Sequence, residues 1–301
     1  MKRPNPKVKK SPLSMRGREA AAGWLFLLPA LALMLLFVFY PMLSAGWISL
    51  HDWNMLGSMD FSGLENFKLL LRDKQWHACL LRTFTYTLCY VPALYIMALV
   101  LALIVHKIPR GSGFFRTAYF MPVILSSVVT GLIWKLMYDE RTGVINHILE
   151  AVIGQRIPWL SSVRWAMPAV LIVHVWMQMG YYMIIFLAGL QDIPREYYEA
   201  AAIDGANGWQ SFWNITMPGL SNTSVFIVVM SVINSFQAYD HIAMLTDGGP
   251  ASATNLAVQH IYETAFSHYS MGYAAALALN LFVIILAFSL LLMKLMRSNK
   301  N

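Results

Sequence analysis

Apolar residues along this chain gather into six long segments that are separated by shorter polar stretches. Each segment holds about 20 or more mostly apolar residues, the length an α-helix needs to cross a membrane. This pattern predicts an all-α polytopic membrane protein with six transmembrane helices. The predicted spans are roughly 23–50, 83–105, 114–136, 165–190, 220–239 and 271–293.

The first apolar segment follows a basic tail, residues 1–19, and in outline this order is that of a secretion signal. However, the uncharged run 20–50 is much longer than the apolar core of a cleavable signal, which has roughly 7–15 residues. We therefore predict a retained first span. The chain would then consist of a basic tail, 1–19, and one transmembrane domain, 20–301.

Composition supports the membrane interpretation, since 58% of the residues are hydrophobic and only 12% are charged. Soluble domains carry roughly a quarter charged residues. The net charge is +7, but seven of the 22 Lys and Arg residues lie in the first 18 positions. The basic tail therefore reads as an orientation signal beside anionic lipid, and a nucleic-acid partner is not expected.

The positive charges outside the spans predict the orientation of the chain. Cytoplasmic loops carry an excess of Lys and Arg. With six spans, the tail, the link between spans two and three and the C-terminus fall on one side. Both termini and the loop 191–219 are therefore predicted to be cytoplasmic. The basic residues of the link and of the C-terminus are Lys107, Arg110, Lys294, Arg297 and Lys300.

The loop 191–219 breaks this charge rule, because Arg195 is its only basic residue. We predict two short helices in it. The first begins at Pro194, a residue suited to an initial helical position, and ends at Asp204-Gly205. Asn207 then caps a second helix, with Gln210 completing a capping box.

The loop is also rich in aromatic residues, which a solvated linker would not need. Two interpretations are open from composition: a docking surface on another protein, or an amphipathic hairpin on lipid. Its acidic residues argue against contact with anionic lipid. The aromatic residues are Tyr197, Tyr198, Trp209, Phe212 and Trp213.

The spacing Glu199-Ala200-Ala201, Gly205, Ile215, Met217-Pro218 resembles the EAA motif of bacterial ABC importer permeases. The usual pattern has Leu where this chain has Met217. The stretches "FYPMLSAGWISLHDWN" and "LTDGGPASAT" are similar to the carbohydrate branch of that family. Within it, the chain resembles the first permease subunit of maltose, multiple-sugar and glycerol-3-phosphate importers.

The resemblance implies a type I ABC importer permease fold in the inner membrane of a bacterial cell. The implied partners are a homologous second permease, two ATP-binding subunits and an extracytoplasmic sugar-binding protein, besides membrane lipid. It also implies that the loop 191–219 couples the permease to the ATPase. The coupling residues would be Glu199, Ala200, Ala201, Asp204, Gly205, Ile215 and Pro218.

A path for a neutral, hydroxyl-rich sugar needs neutral polar and aromatic side chains, since charges inside a membrane are costly. Residues 174, 178 and 181 share one helical face of span four, and 231, 234 and 235 share one face of span five. Hydrogen bonds between helices are the alternative role for such side chains. With the positions that the resemblance to the maltose permease adds, the candidates are His174, Met177, Gln178, Tyr181, Ser127, Ser231, Asn234 and Ser235.

The sequence contains neither a GxxxxGK[ST] phosphate loop nor a recognisable catalytic or metal-ligand motif. We therefore expect a transport subunit without an ATPase site or cofactor of its own, with ATP bound by its partners. The alternative is a secondary transporter or channel for a small neutral solute. Ion-coupled carriers usually hold charged residues within their spans, and this chain has none in the middle of a span.

Overall fold

The computed structural model describes residues 15–108 and 110–298. Residues 1–14 of the predicted basic tail and Lys300 lie outside the described part. The helices are α1 (Met15–Met34), α2 (Tyr40–Ile48), α3 (Glu65–Arg72), α4 (Lys74–His106), α5 (Ser112–Ile124), α6 (Ser127–Met137), α7 (Val144–Ile153), α8 (Ala166–Gln191), α9 (Arg195–Ile203), α10 (Gly208–Ser211), α11 (Met217–Gly219), α12 (Ser221–Phe236), α13 (Asp240–Leu245), α14 (Ala257–Tyr262) and α15 (Met271–Ser298). Leu35–Phe39, Phe212–Thr216 and Glu263–Ser267 are π-helical, and the strands are β1 (His51–Asp52) and β2 (Asp60–Phe61).

The described residues contain the six predicted spans. Four are continuous helices of sufficient length and apolarity: Ala22–Ile48, Lys74–His106, Ala166–Gln191 and Met271–Met296. The other two are bent pairs of helices, Ser112–Ile124 with Ser127–Met137 and Gly208–Gly219 with Ser221–Phe236. Counting each bent pair as one crossing gives the six that the apolar pattern predicts, with the third bent inside the predicted span and the fifth bent at its start.

The third span bends by 97° between α5 and α6. Leu125 and Ser126 at the break have extended backbone, with ψ of 141° and 134°. Two extended residues interrupt the helical hydrogen bonding, so the chain changes direction there. A single straight helix over 114–136, as the apolar pattern predicts, is therefore wrong in this detail.

The core forms where α4 packs along α8, with α5 and α12 against the same pair. Tyr90, Phe186 and Met183 are among the fully buried side chains there. Gly180 of α8 lets α5 approach closely, because a Cβ at this position would collide with the carbonyl oxygen of Tyr119. Bulk at position 180 would thus push the two helices apart.

The first span contrasts with the rest, because no residue of its apolar window is buried against the described chain. Its side chains present apolar surface along the whole crossing, and only α2 at its far end packs on α15. Apolar surface of this extent requires cover by lipid or by another subunit. The segment is helical, and its retention as a span stays a prediction.

The connections after spans one and five meet at the start of α4. Here β1 pairs antiparallel with β2, a small sheet that the all-α prediction lacks. Asp73 caps α4 by accepting hydrogen bonds from the backbone N–H groups of Gln75 and Trp76 at 2.8 and 3.1 Å. It also accepts one from the hydroxyl of Tyr273 at 2.6 Å, which ties α4 to α15.

The charges at this junction are partly withdrawn from water. Burial alone would raise the pKa of Asp73, but the hydrogen bonds from Tyr273 and the two N–H groups outweigh it and lower that pKa. Nε2 of the buried His260 lies 3.9 Å from Asp73. Burial lowers the pKa of His260, more than Asp73 and Glu263 raise it.

Candidate functional site

The loop 191–219 folds into a helical hairpin that joins α8 to α12. Its first arm is α9, whose N-cap is Pro194 and whose C-cap is Asp204. None of its nine residues is buried, and Ile203 is 86% exposed. An apolar side chain held this far into solvent on an ordered helix is typical of a surface that another protein covers.

The turn between the arms closes α9 in the way that the sequence predicts. Gly205 has φ of +79°, a left-handed conformation that glycine accepts without strain. The N–H of Gly205 donates to the carbonyl of Ala202 at 3.2 Å, and that of Ala206 donates to Ala201 at 2.8 Å. This pair of bonds is the Schellman motif, so Gly205 is needed for backbone conformation.

The second arm begins with the predicted capping box. The Asn207 side chain accepts from the N–H of Gln210 at 2.9 Å, and the Gln210 side chain accepts from the N–H of Asn207 at 2.8 Å. The arm then continues as the π-helical segment Phe212–Thr216 and α11. It ends at Gly219.

Two contacts hold the hairpin together, one between its arms and one at its base, where it joins α8 and α12. The hydroxyls of Tyr198 and Thr216 lie 2.9 Å apart and join the arms to each other. Gly219 packs so closely on Ile193 that a Cβ there would come within 2.7 Å of the Ile193 Cδ1 atom. Displacement of α9 is therefore passed to the ends of α8 and α12.

The two arms enclose an open cleft of about 600 Å³. It brings together five of the seven predicted coupling residues, whereas Glu199 lies on the exposed surface of α9 and Gly205 at the tip. The lining residues that were predicted are Ala200, Ala201, Asp204, Ile215 and Pro218.

The predicted pathway residue His174 lies in a buried polar group within the spans. It is 5% exposed, and its Nδ1 is 2.7 Å from the hydroxyl of Tyr86 on α4. The same hydroxyl is 3.3 Å from Nε2 of His241 on α13, and Tyr90 stacks on the His174 ring at 4.1 Å. In this conformation His174 connects three helices and does not line an open surface.

Three other candidates are buried in the same way. Ser235 donates to the hydroxyl of Thr87 at 2.9 Å, and Ser231 donates to the backbone carbonyl of Val228 at 3.0 Å. Met177 belongs to the core between the helices. Helical spacing places residues on one face, but here that face points at a neighbouring helix, so their place in a pathway stays a prediction.

The remaining four candidates reach the surface of the chain. Tyr181 is 38% exposed, and Gln178, Ser127 and Asn234 are partly exposed. The amide of Asn234 also donates to the hydroxyl of Tyr182 at 2.8 Å. These four side chains are neutral, and together they offer hydroxyl, amide and aromatic groups.

Four polar residues next to these candidates carry no sequence signal of their own. They lie in helices, and their partners are 52 to 155 positions away along the chain. One weak signal is present, since Tyr86 and Tyr90 are one turn apart and so share a face. The four are Tyr86, Thr87, Tyr182 and His241.

Comparison with known proteins tests the resemblance. Residues 71–298 match the family model described as "Binding-protein-dependent transport system inner membrane component". The probable ABC transporter permease protein YurN of Bacillus subtilis is 34% identical, over 92% of this chain and 97% of its own length. The trehalose/maltose transport system permease protein MalF of Thermococcus litoralis is 31% identical, over 95% and 97%.

The fold is also that of a solved transporter. A chain of the bacterial alginate ABC transporter, crystallised in complex with a periplasmic protein that holds an alginate pentasaccharide, superimposes with a TM-score of 0.79. The alignment covers 91% of this chain and 93% of that chain at 21% identity, so it supports the fold alone. The predicted permease fold and the resemblance are confirmed, and the alternative of a secondary transporter or channel is disfavoured. The chain belongs to the family of inner membrane components of binding-protein-dependent transport systems.

Proposed function

We propose that this chain is a permease subunit of an ATP-driven, binding-protein-dependent sugar importer, coupled to its ATPase through the hairpin 191–219. The family supports import with a separate binding protein. The name of the Thermococcus relative supports a sugar as the substrate. One observation carries the coupling role: no residue of α9 is buried, yet its Tyr198 packs against the core between the spans and is bonded to Thr216 of the second arm.

The mechanism is alternating access driven by the partners. The chain has no phosphate loop of its own, so ATP is bound by two partner ATP-binding subunits. Their closure would shift α9, and the Tyr198–Thr216 contact with the close packing of Gly219 would carry that shift into α8 and α12. The helices that bear the polar pathway candidates would then move as packed bodies.

The substrate path runs over neutral side chains. Tyr181 offers an aromatic face for a sugar ring, while Gln178, Asn234 and Ser127 offer hydrogen bonds to hydroxyl groups. All four retain exposed surface in this chain, so a second permease packed opposite them would complete an enclosed passage. His174, Met177, Ser231 and Ser235 would line it only after α8 and α12 move.

Charge reversal at the hairpin tests the coupling role. Glu199→Lys should weaken association with the ATP-binding subunit by about 2 kcal/mol or more, because it places a cation in a contact built around an acid. Gly205→Val should act through backbone strain, since a β-branched residue at φ of +79° costs about 1–2 kcal/mol. Co-purification of the ATP-binding subunit and sugar uptake in vesicles are the readouts.

The control is Asp60→Lys, the same charge change at an exposed residue of β2 on the opposite set of loops. It should leave ATPase co-purification intact. Full uptake and normal ATPase association in both hairpin variants would reject the coupling role. Normal membrane insertion, checked by surface-accessible cysteine labelling, separates lost coupling from lost folding.

A further inference from the structure

The second arm of the hairpin presents two different faces. Asn214, Ile215 and Pro218 line the cleft that it shares with α9. Trp209 and Trp213 do not line that cleft, and they are 70% and 50% exposed. Trp209, Phe212 and Trp213 together form the aromatic face of this arm.

The three rings of the aromatic face form one contiguous apolar patch. Trp213 contacts Phe212 and Trp209, with ring centroids 5.1 and 5.7 Å apart. Phe212 also packs against the core between the spans, so the patch has a fixed base. The two tryptophans therefore project outward from an anchored ring, each with an indole N–H available to a polar group.

In its lack of charged residues, the second arm of the hairpin is like the membrane helices. From 205 to 239 the sequence has no Asp, Glu, Lys or Arg, so the uncharged stretch runs without a break from the hairpin tip through α12. The charged residues of the hairpin all precede Gly205: Asp192 follows α8, while Arg195, Glu196, Glu199 and Asp204 lie on or at the end of α9. The charged arm, α9, thus suits contact with a protein and water. The uncharged arm, Gly208–Gly219, suits contact with the apolar part of the membrane.

The geometry agrees with a position at the membrane surface. The 16 residues of α12 span about 24 Å, less than the roughly 30 Å of the hydrocarbon core. The segment Gly208–Gly219 is bent by 67° from α12. With α12 crossing the bilayer, this segment runs closer to the membrane plane than to its normal.

We propose that Gly208–Gly219 lies in the lipid headgroup region of the bilayer, with Trp209 and Trp213 as its anchors, and that α9 alone is offered to the ATPase. Tryptophan is enriched at this depth because its ring is apolar and its N–H is polar. The bound lipid is a phospholipid of the adjacent leaflet. Since the second arm is pinned to the bilayer, the hairpin turns about it when α9 is displaced.

Nitroxide labels on the two arms test this placement in the assembled importer. Cys79 is buried, so a Cys89→Ser background removes the exposed native thiol. Trp213→Cys is labelled in one sample and Ala202→Cys, an exposed position on α9, in another. Collision with O₂ and with a water-soluble nickel chelate is then measured in phospholipid nanodiscs, with and without the ATP-binding subunits.

The label at 213 should collide several-fold more with O₂ than with the nickel chelate, whether or not the ATPase is present. The label at 202 should collide more with the nickel chelate than with O₂, and its collisions with the chelate should fall when the ATPase binds. A label at 213 that prefers the nickel chelate, or that loses collisions only on ATPase binding, would overturn the lipid placement and make that face a protein interface. Trp209→Cys serves as a second probe if the 213 variant does not insert.

These outcomes separate the inference from the proposed function on which its leaflet assignment rests. Protection at 202 by the ATPase reports on coupling, and oxygen preference at 213 reports on lipid. A label at 202 that the ATPase leaves accessible would reject the coupling role. The result at 213 would still decide, independently, whether the second arm contacts lipid.

Discussion

The hydroxyls of Tyr198 and Thr216 lie 2.9 Å apart and join the two arms of the hairpin between α8 and α12. Thr216 is buried, and its Oγ1 also lies 3.4 Å from the backbone carbonyl of Ser211. The contact sits between the exposed helix α9 and the start of α12. Whether this hydrogen bond holds therefore determines whether α9 and the second arm move together or separately.

Thr216→Val tests whether the hairpin moves as one body. The substitution keeps the side-chain volume but removes the hydroxyl, which should cost about 1 kcal/mol of stability. We expect less sugar transported per ATP hydrolysed, because α9 can move without α12. Uptake and hydrolysis measured together in proteoliposomes give this ratio. Thr216→Ser retains the hydroxyl and should keep the wild-type ratio of sugar transported to ATP hydrolysed. A wild-type ratio in the valine variant would contradict the prediction.

Tyr86→Phe tests the buried polar group of the spans. The change should leave ring nitrogens of His174 and His241 without a partner and cost about 1–3 kcal/mol. A lower thermal midpoint of the detergent-solubilised complex is the expected result. Thr85→Val, a change at an exposed hydroxyl one position away, is the control. Equal midpoints for both variants would show that the network adds no stability.

Tyr181→Ala tests the pathway at an accessible position. The residue is exposed, so its removal should cost little stability and leave the complex assembled. Loss of one stacking face should reduce uptake, with apparent affinity more affected than assembly. Transport assays with the purified complex provide the measurement. A wild-type rate and affinity would remove Tyr181 from the candidate pathway.

The junction around Asp73 and His260 predicts a loss of stability in acid. Burial lowers the pKa of His260, so the unfolded chain takes up this proton more readily than the folded one. Stability should therefore fall as the pH drops below about 6.5, the usual value for histidine. The thermal midpoint measured between pH 8 and pH 5 follows this loss.

Substitution at position 260 provides the matched test. His260→Gln should flatten the pH dependence in that window, because the titrating ring is gone. Asp73, whose pKa is lowered by its hydrogen bonds, contributes stability that is lost only at lower pH, below about 4. A slope that persists in the glutamine variant between pH 6.5 and pH 5 would assign the effect to another group.

The hairpin shows how far local chemistry can be read from sequence. Gly205, Asn207 and Gln210 act within a few residues of each other, so the turn and the capping box follow from their order along the chain. The spans are equally local, since about 20 apolar residues in a row have no alternative to a membrane helix. The bend at Leu125 and Ser126 could not be predicted from the sequence pattern, because apolar composition indicates which residues avoid water and not the direction of the helix axis.

The sequence alone determined six crossings, the two-armed loop with its caps and the family to which the chain belongs, since all of these depend on the order and spacing of nearby residues. The tertiary structure decided which polar residues of the spans face one another and which reach the surface. His174 and Tyr181 share a predicted face, yet the first meets Tyr86 and the second stays exposed. That outcome depends on how helices distant in sequence pack together, and a periodic pattern within one helix does not specify its neighbours.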